Sequence, residues 1–164
     1  MPFVIQCPPY IEPGIVSDAM VMNVDFAPTL LDYAGLPIPA EMQGESFRDG
    51  IGNPDSTMRD AVYYHYYEYP IWHKVQPHYG IRTNRYKLMH FYYSMDNWEL
   101  YDLHEDPNET NNIYTEAAPE LIDKLKGQLE ELRVQNGDDR SLQEMRLMTD
   151  TVITRVYTEP SKAK

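Results

Sequence analysis

Hydrophobic and polar positions change period several times along the chain. Met1 to Gln6 (MPFVIQ) is a continuous apolar run that stops at Cys7-Pro8-Pro9. Unbroken apolarity predicts a strand buried within a larger sheet. After the Pro13-Gly14 turn, Val24, Ala27, Leu30, Leu31 and Ala34 recur at helical spacing. Pro28 falls in the first turn of that helix, Asp25 is placed to cap it, and Gly35 sits where a left-handed C-cap belongs. A metal ligand is the alternative reading of Asp25. Leu36 to Met58 is rich in Pro, Gly, Asp and Ser and reads as a surface connection between subdomains.

From Ala61 the period drops to two. Val62, Tyr64 and Tyr66 alternate with Tyr63, His65 and Tyr67 until Pro70, which predicts a strand. Ile71 to Pro77 is an aromatic-bearing loop containing His73, and His78 opens a second strand, Tyr79 to Thr83. A turn at Asn84-Arg85 returns the chain as Tyr86 to Tyr93, a hairpin, and Trp98 to Leu103 supplies a fourth strand. Beyond the turn-rich DPNETNN, Pro119 opens a helix with one apolar stripe (Leu121, Ile122, Leu125, Leu129, Leu132), closed by Asn136-Gly137. After Asp138, helical spacing (Leu142, Met145, Val152, Val156) competes with the β-branched run TDTVITRVYT, and Lys162 to Lys164 should fray. The predicted fold class is α+β, a small antiparallel sheet of about four strands packed on a long C-terminal helix.

Composition narrows the partners. The formal net charge of −12, with no block of Lys or Arg, disfavours nucleic acid. No apolar run approaches the about 20 residues of a membrane-spanning helix, and no signal-peptide pattern opens the chain, so no membrane partner is expected and localisation is unassigned. The single cysteine, Cys7, excludes an internal disulfide and a thiolate metal cluster built from this chain alone.

Candidate chemistry concentrates between Asp60 and Tyr93, which holds nine of the fourteen tyrosines and four of the five histidines. His65, His73 and His78 with Glu68 offer the donors a first-row metal takes, and the same residues would suit a polar ligand pocket or a purely structural role. Arg82, Arg85 and Lys87 offer an anion grip, with cross-strand pairing to Glu99 or Asp102 as the alternative. The tyrosine faces would stack on sugar rings or fill a core. No nucleophile elbow, phosphate-cradling loop or His-Glu-x-x-His occurs, so no catalytic residue is assigned.

The run HYYEYPIWHKVQPHYGIRTNRYKLMHFY, followed by WELYDLHEDPNETNN, resembles the C-terminal region of the sulfatases, formylglycine-dependent sulfuric ester hydrolases of the alkaline-phosphatase-like superfamily. NVDFAPTLLDYAGLPIPAEMQGESF and MPFVIQCPPYIEPGIVSD resemble the segments just before it, so the resemblance covers roughly residues 1 to 137. It implies that residues 1–55 are the strand-helix tail of an α/β catalytic domain, 56–137 the C-terminal subdomain, and 138–164 an extension without a counterpart. It further implies that the complete enzyme uses calcium and a formylglycine made from a Cys-x-Pro-x-Arg cysteine, and that those residues precede this segment. Cys7-Pro8-Pro9-Tyr10-Ile11 has Ile11 where that arginine belongs. The chain alone is therefore expected to be inactive and to supply part of a cleft for a sulfated substrate, with His65, His73, His78 and Arg82 as substrate-binding residues. The missing N-terminal catalytic part is then a partner. A carbohydrate- or protein-binding module, or the complementing half of a split sulfatase, is the alternative.

Overall fold

A computed structural model describes residues 3–8, 10–51, 58–70 and 73–158. The chain divides into two compact units, Met1–Asp60 and Ala61–Lys164.

In the first unit a 3₁₀ turn, Asn23–Asp25, runs into helix α1, Phe26–Tyr33, and a single helical turn, α2, spans Arg48–Ile51. Gly35 follows α1 with φ +68°, the left-handed conformation expected of a glycine C-cap. The face that α1 buries differs from the one its apolar spacing predicts. Pro28 and Thr29 are buried whereas Leu30 is 67% exposed, because the helix is held by polar bonds on its other side. Thr29 Oγ1 donates to the Asp25 carbonyl (2.7 Å) and accepts from the Phe47 amide (3.0 Å). Phe47 is buried, with the Phe3 and Phe26 rings edge-on to it.

Two expectations for this unit are corrected. Phe3 to Gln6 run without strand pairing, and Val4 is exposed, since no strand among the described residues offers a ladder; Met1 and Pro2 of that predicted strand lie outside the described residues. Asp25 does not cap α1 through its side chain. Its fully buried carboxylate instead accepts from the amides of Met22 (2.7 Å) and Glu45 (2.9 Å) and from both terminal nitrogens of Arg59 (3.0 and 2.9 Å). Gly44 lets the Glu45 amide reach it: a Cβ on residue 44 would sit 2.0 Å from the Val24 carbonyl oxygen.

In the second unit four strands follow one another across an antiparallel sheet in the order β1-β2-β3-β4: β1 Ala61–Tyr66, β2 His78–Thr83, β3 Tyr86–Phe91 and β4 Asn97–Asp102. Helix α3, Pro119–Gln135, opens on the proline and ends before Gly137 (φ +68°), as its sequence predicts. Leu125 and Leu129 from its stripe pack on Tyr79, Ile81, Leu88, Tyr92 and Leu100 of the sheet. The segment left open by the sequence is helical: α4 spans Leu142–Thr158, with Met145 completing the same core. Its β-branched residues lie mostly on exposed turns, where packing does not oppose a helix. Lys162 to Lys164 lie outside the described residues.

Candidate functional site

Strand register decides which side chains meet. His65 lies opposite Tyr79, and Tyr66 opposite His78. Successive side chains along a strand point to opposite faces, so His65 and His78 project from opposite sides of the sheet. The histidines therefore do not converge on one ligand site.

His65 faces the helices with Tyr63, Tyr79, Ile81, His90, Trp98 and Leu100. Its ring is 3% exposed and both nitrogens are engaged: Nδ1 lies 2.5 Å from Asp138 Oδ2 and Nε2 lies 3.0 Å from Tyr92 Oη. The bonding suits a neutral imidazole whose Nδ1–H donates to the carboxylate while Nε2 accepts from the Tyr92 hydroxyl. Asp138 also accepts from Tyr63 and Tyr67, and Arg140 donates to its other oxygen. A second assembly of the same kind lies on this face. Tyr79 Oη meets His90 Nδ1 at 3.0 Å, His90 Nε2 meets Asp96 at 2.9 Å, and Asp96 meets Arg146 of α4 at 2.8 Å. His90 stacks flat on Trp98 at 4.2 Å, and Lys126 lies over the Trp98 ring.

Burial favours the neutral form of both histidines. Burial pushes each imidazole below its ordinary pKa, and the facing carboxylate only partly opposes it. For Asp138, burial works to raise the carboxyl, yet the bonds from Tyr63, His65 and Tyr67 outweigh it and hold the group below the usual range. Unfolded histidine takes up its proton near about pH 6.5. As pH falls through that value the unfolded chain gains two protons that the folded second unit resists, so stability is full above about pH 6.5 and declines below it, each histidine contributing a slope of up to about 1.4 kcal/mol per pH unit. Urea midpoints recorded between pH 7.5 and 5 should fall with acidification, and less steeply in His65→Gln. A midpoint independent of pH over that window would contradict this assignment.

The other face carries the remaining sequence-selected residues of the sheet. His78 stacks on Tyr66 at 5.3 Å and donates Nδ1–H to the Gln76 carbonyl at 2.8 Å, leaving Nε2 for another group. Arg82 shares this face by strand parity, is exposed, and makes no ion pair among the described residues. His73 is exposed on the loop that reaches β2. Arg85 and Lys87 do not join an anion grip: Arg85 forks onto Asp102 (2.7 to 3.2 Å) and Lys87 pairs with Glu109. Thus His73 and Arg82 are exposed and His78 keeps Nε2 as an acceptor, whereas His65 is buried and fully bonded. His65 therefore does not offer the substrate contact expected of it, since the register places it under the helices.

No group of three or more His, Cys, Asp or Glu among the described residues is placed to hold a metal ion. Cys7 does not fit a formylglycine site either: its carbonyl closes a turn onto the amides of Tyr10 and Ile11, and Ile11 supplies no cation. Residues missed in the sequence are Asp138, Asp96 and Tyr92. Asp138 follows the helix-ending Asn136-Gly137, a local signal for a corner but not for its distant partners.

Comparison with known proteins places these observations. The family model for the C-terminal part of N-sulphoglucosamine sulphohydrolase matches residues 1–135. The chain is 48% identical over 143 residues to an N-acetylglucosamine-6-O-sulfatase of Bacteroides thetaiotaomicron, covering 85% of this chain and 26% of that protein. An arylsulfatase of Clostridium perfringens is 34% identical over 69% of this chain and 22% of its own length. The chain thus spans about a quarter of the length of these relatives. Among solved structures, BT4656 in complex with its substrate D-glucosamine-2-N,6-O-disulfate superposes with a TM-score of 0.76 at 46% identity, over 82% of this chain and 28% of that one.

Proposed function

We propose, because the chain belongs to the sulfatase family and spans its C-terminal portion, that it forms one wall of the substrate cleft of an enzyme hydrolysing the 6-O-sulfate ester of a glucosamine. The observation that carries this reading is the 48% identity to an N-acetylglucosamine-6-O-sulfatase, extending over 85% of the chain. In this reading the chemical step belongs to residues outside this chain, where a formylglycine would supply the nucleophilic oxygen and calcium would supply positive charge beside the sulfate. The residues here bind and orient. Arg82 offers a forked donor matched to sulfate or carboxylate oxygens, His73 offers imidazole nitrogens for sugar hydroxyls or sulfate, and His78 offers Nε2 as an acceptor for a sugar hydroxyl.

Joining this chain to the catalytic portion of the Bacteroides thetaiotaomicron relative tests the reading. The joined enzyme should release sulfate from N-acetylglucosamine-6-sulfate, and the isolated chain should release none above the blank. Arg82→Ala and His73→Ala should each raise KM about tenfold, the loss of about 1.4 kcal/mol of binding. A joined, folded enzyme without this activity, or one in which neither substitution moves KM, would reject the proposal.

A further inference from the structure

Two carboxylates beyond the family-matched residues grip the start of the loop that carries His73. Tyr67, immediately after β1, is half exposed, yet its ring stacks on His65 at 3.7 Å and its hydroxyl donates to Asp138 at 3.1 Å. Tyr69 packs against Tyr93 at 5.8 Å, and the Tyr93 hydroxyl donates to Asp150 of α4 at 2.6 Å. The far end of the loop is bound to the sheet instead. Gln76 receives Ser94 Oγ at its side chain (2.8 Å) and His78 at its carbonyl (2.8 Å), and Pro77 O accepts from the Tyr92 amide at 3.3 Å.

The family model ends at residue 135, before both Asp138 and Asp150. Each holds a tyrosine on the β1 side of the loop, Asp138 directly and Asp150 through Tyr93. We infer that the α3–α4 corner and α4 form a brace, with Asp138 and Asp150 as positioning residues that hold the His73-bearing loop in its working arrangement. The functional meaning of this brace rests on the proposed substrate role of His73, while its existence does not.

Both parts are measured separately. In the isolated 164-residue chain, amide hydrogen exchange at His73 to Gln76 should accelerate about fivefold in Tyr67→Phe and in Asp150→Ala, about the effect of one lost hydrogen bond. Ile81 and Leu88 in the sheet should keep their protection. Both substitutions are at exposed side chains, so folding is retained; Asp138→Asn serves as the stronger variant. Unchanged exchange at residues 73 to 76, or equal acceleration throughout the sheet, would overturn the brace. In the joined enzyme, Tyr67→Phe should raise KM about fivefold with kcat within about twofold. Faster exchange with an unmoved KM would uphold the brace and reject the substrate role of His73.

Discussion

Replacing Asp25 by Ala should cost the first unit about 3–5 kcal/mol, the usual penalty for removing one partner of a buried, hydrogen-bonded ion pair. The carboxylate is fully buried and accepts four bonds, two from backbone amides and two from Arg59. Its removal leaves the Arg59 guanidinium, only 14% exposed, beside a cavity, and leaves the Met22 and Glu45 amides without their acceptor. Glu45 lies 3.5 Å from the same guanidinium but is mostly exposed, so it replaces little of the loss. Asp25→Asn keeps the volume, but each carboxylate oxygen accepts from one backbone amide and from Arg59, so its amide nitrogen faces two donors and much of the loss remains. The measurement is urea unfolding followed by exchange of the Glu45 amide. Equal stability of wild type and Asp25→Ala would remove Asp25 as the organising contact of this unit.

Asp138→Ala should destabilise the second unit by about 3 kcal/mol. Three donors converge on Oδ2, from Tyr63, His65 and Tyr67, and each buried donor left unpaired costs about 1–3 kcal/mol before relaxation. Asp138→Asn tests charge against geometry, because its amide oxygen can keep the Oδ2 position toward all three donors while its nitrogen meets only Arg140. Asp138→Asn should therefore lose less than Asp138→Ala. Thermal unfolding followed by near-ultraviolet tyrosine signal, to which Tyr63, Tyr67 and Tyr92 contribute among the fourteen tyrosines, gives the comparison. An Asn variant as stable as wild type would show that the charge on Asp138 contributes nothing.

The strands and α3 were legible because their signals are local. Alternation through Tyr63, His65 and Tyr67, the Asn84-Arg85 turn, and the leucine stripe after Pro119 each require only a short window of sequence. The candidate site was only partly legible. Alternation separated the faces within each strand, but relating His65 to His78 required the register of β1 against β2 across a long loop. Asp25 shows the same limit: capping is local, whereas Glu45 and Arg59 lie 20 and 34 residues away. Competing local readings also obscured α4, whose helix is fastened to the sheet by Arg146 and Asp150 rather than by propensity.

The bond between His65 and Asp138 spans 73 residues, while every strand pairs with its neighbour in sequence. Neighbouring-strand pairing demands little loop closure, so a meander of this kind forms early and quickly, and a tie across so long a stretch forms after most chain entropy has been lost. Interactions absent from the transition state act on the rate of unfolding and leave folding almost untouched. The corner at Asp138 is accordingly a kinetic latch: weakening it shortens the lifetime of the folded second unit without slowing its formation.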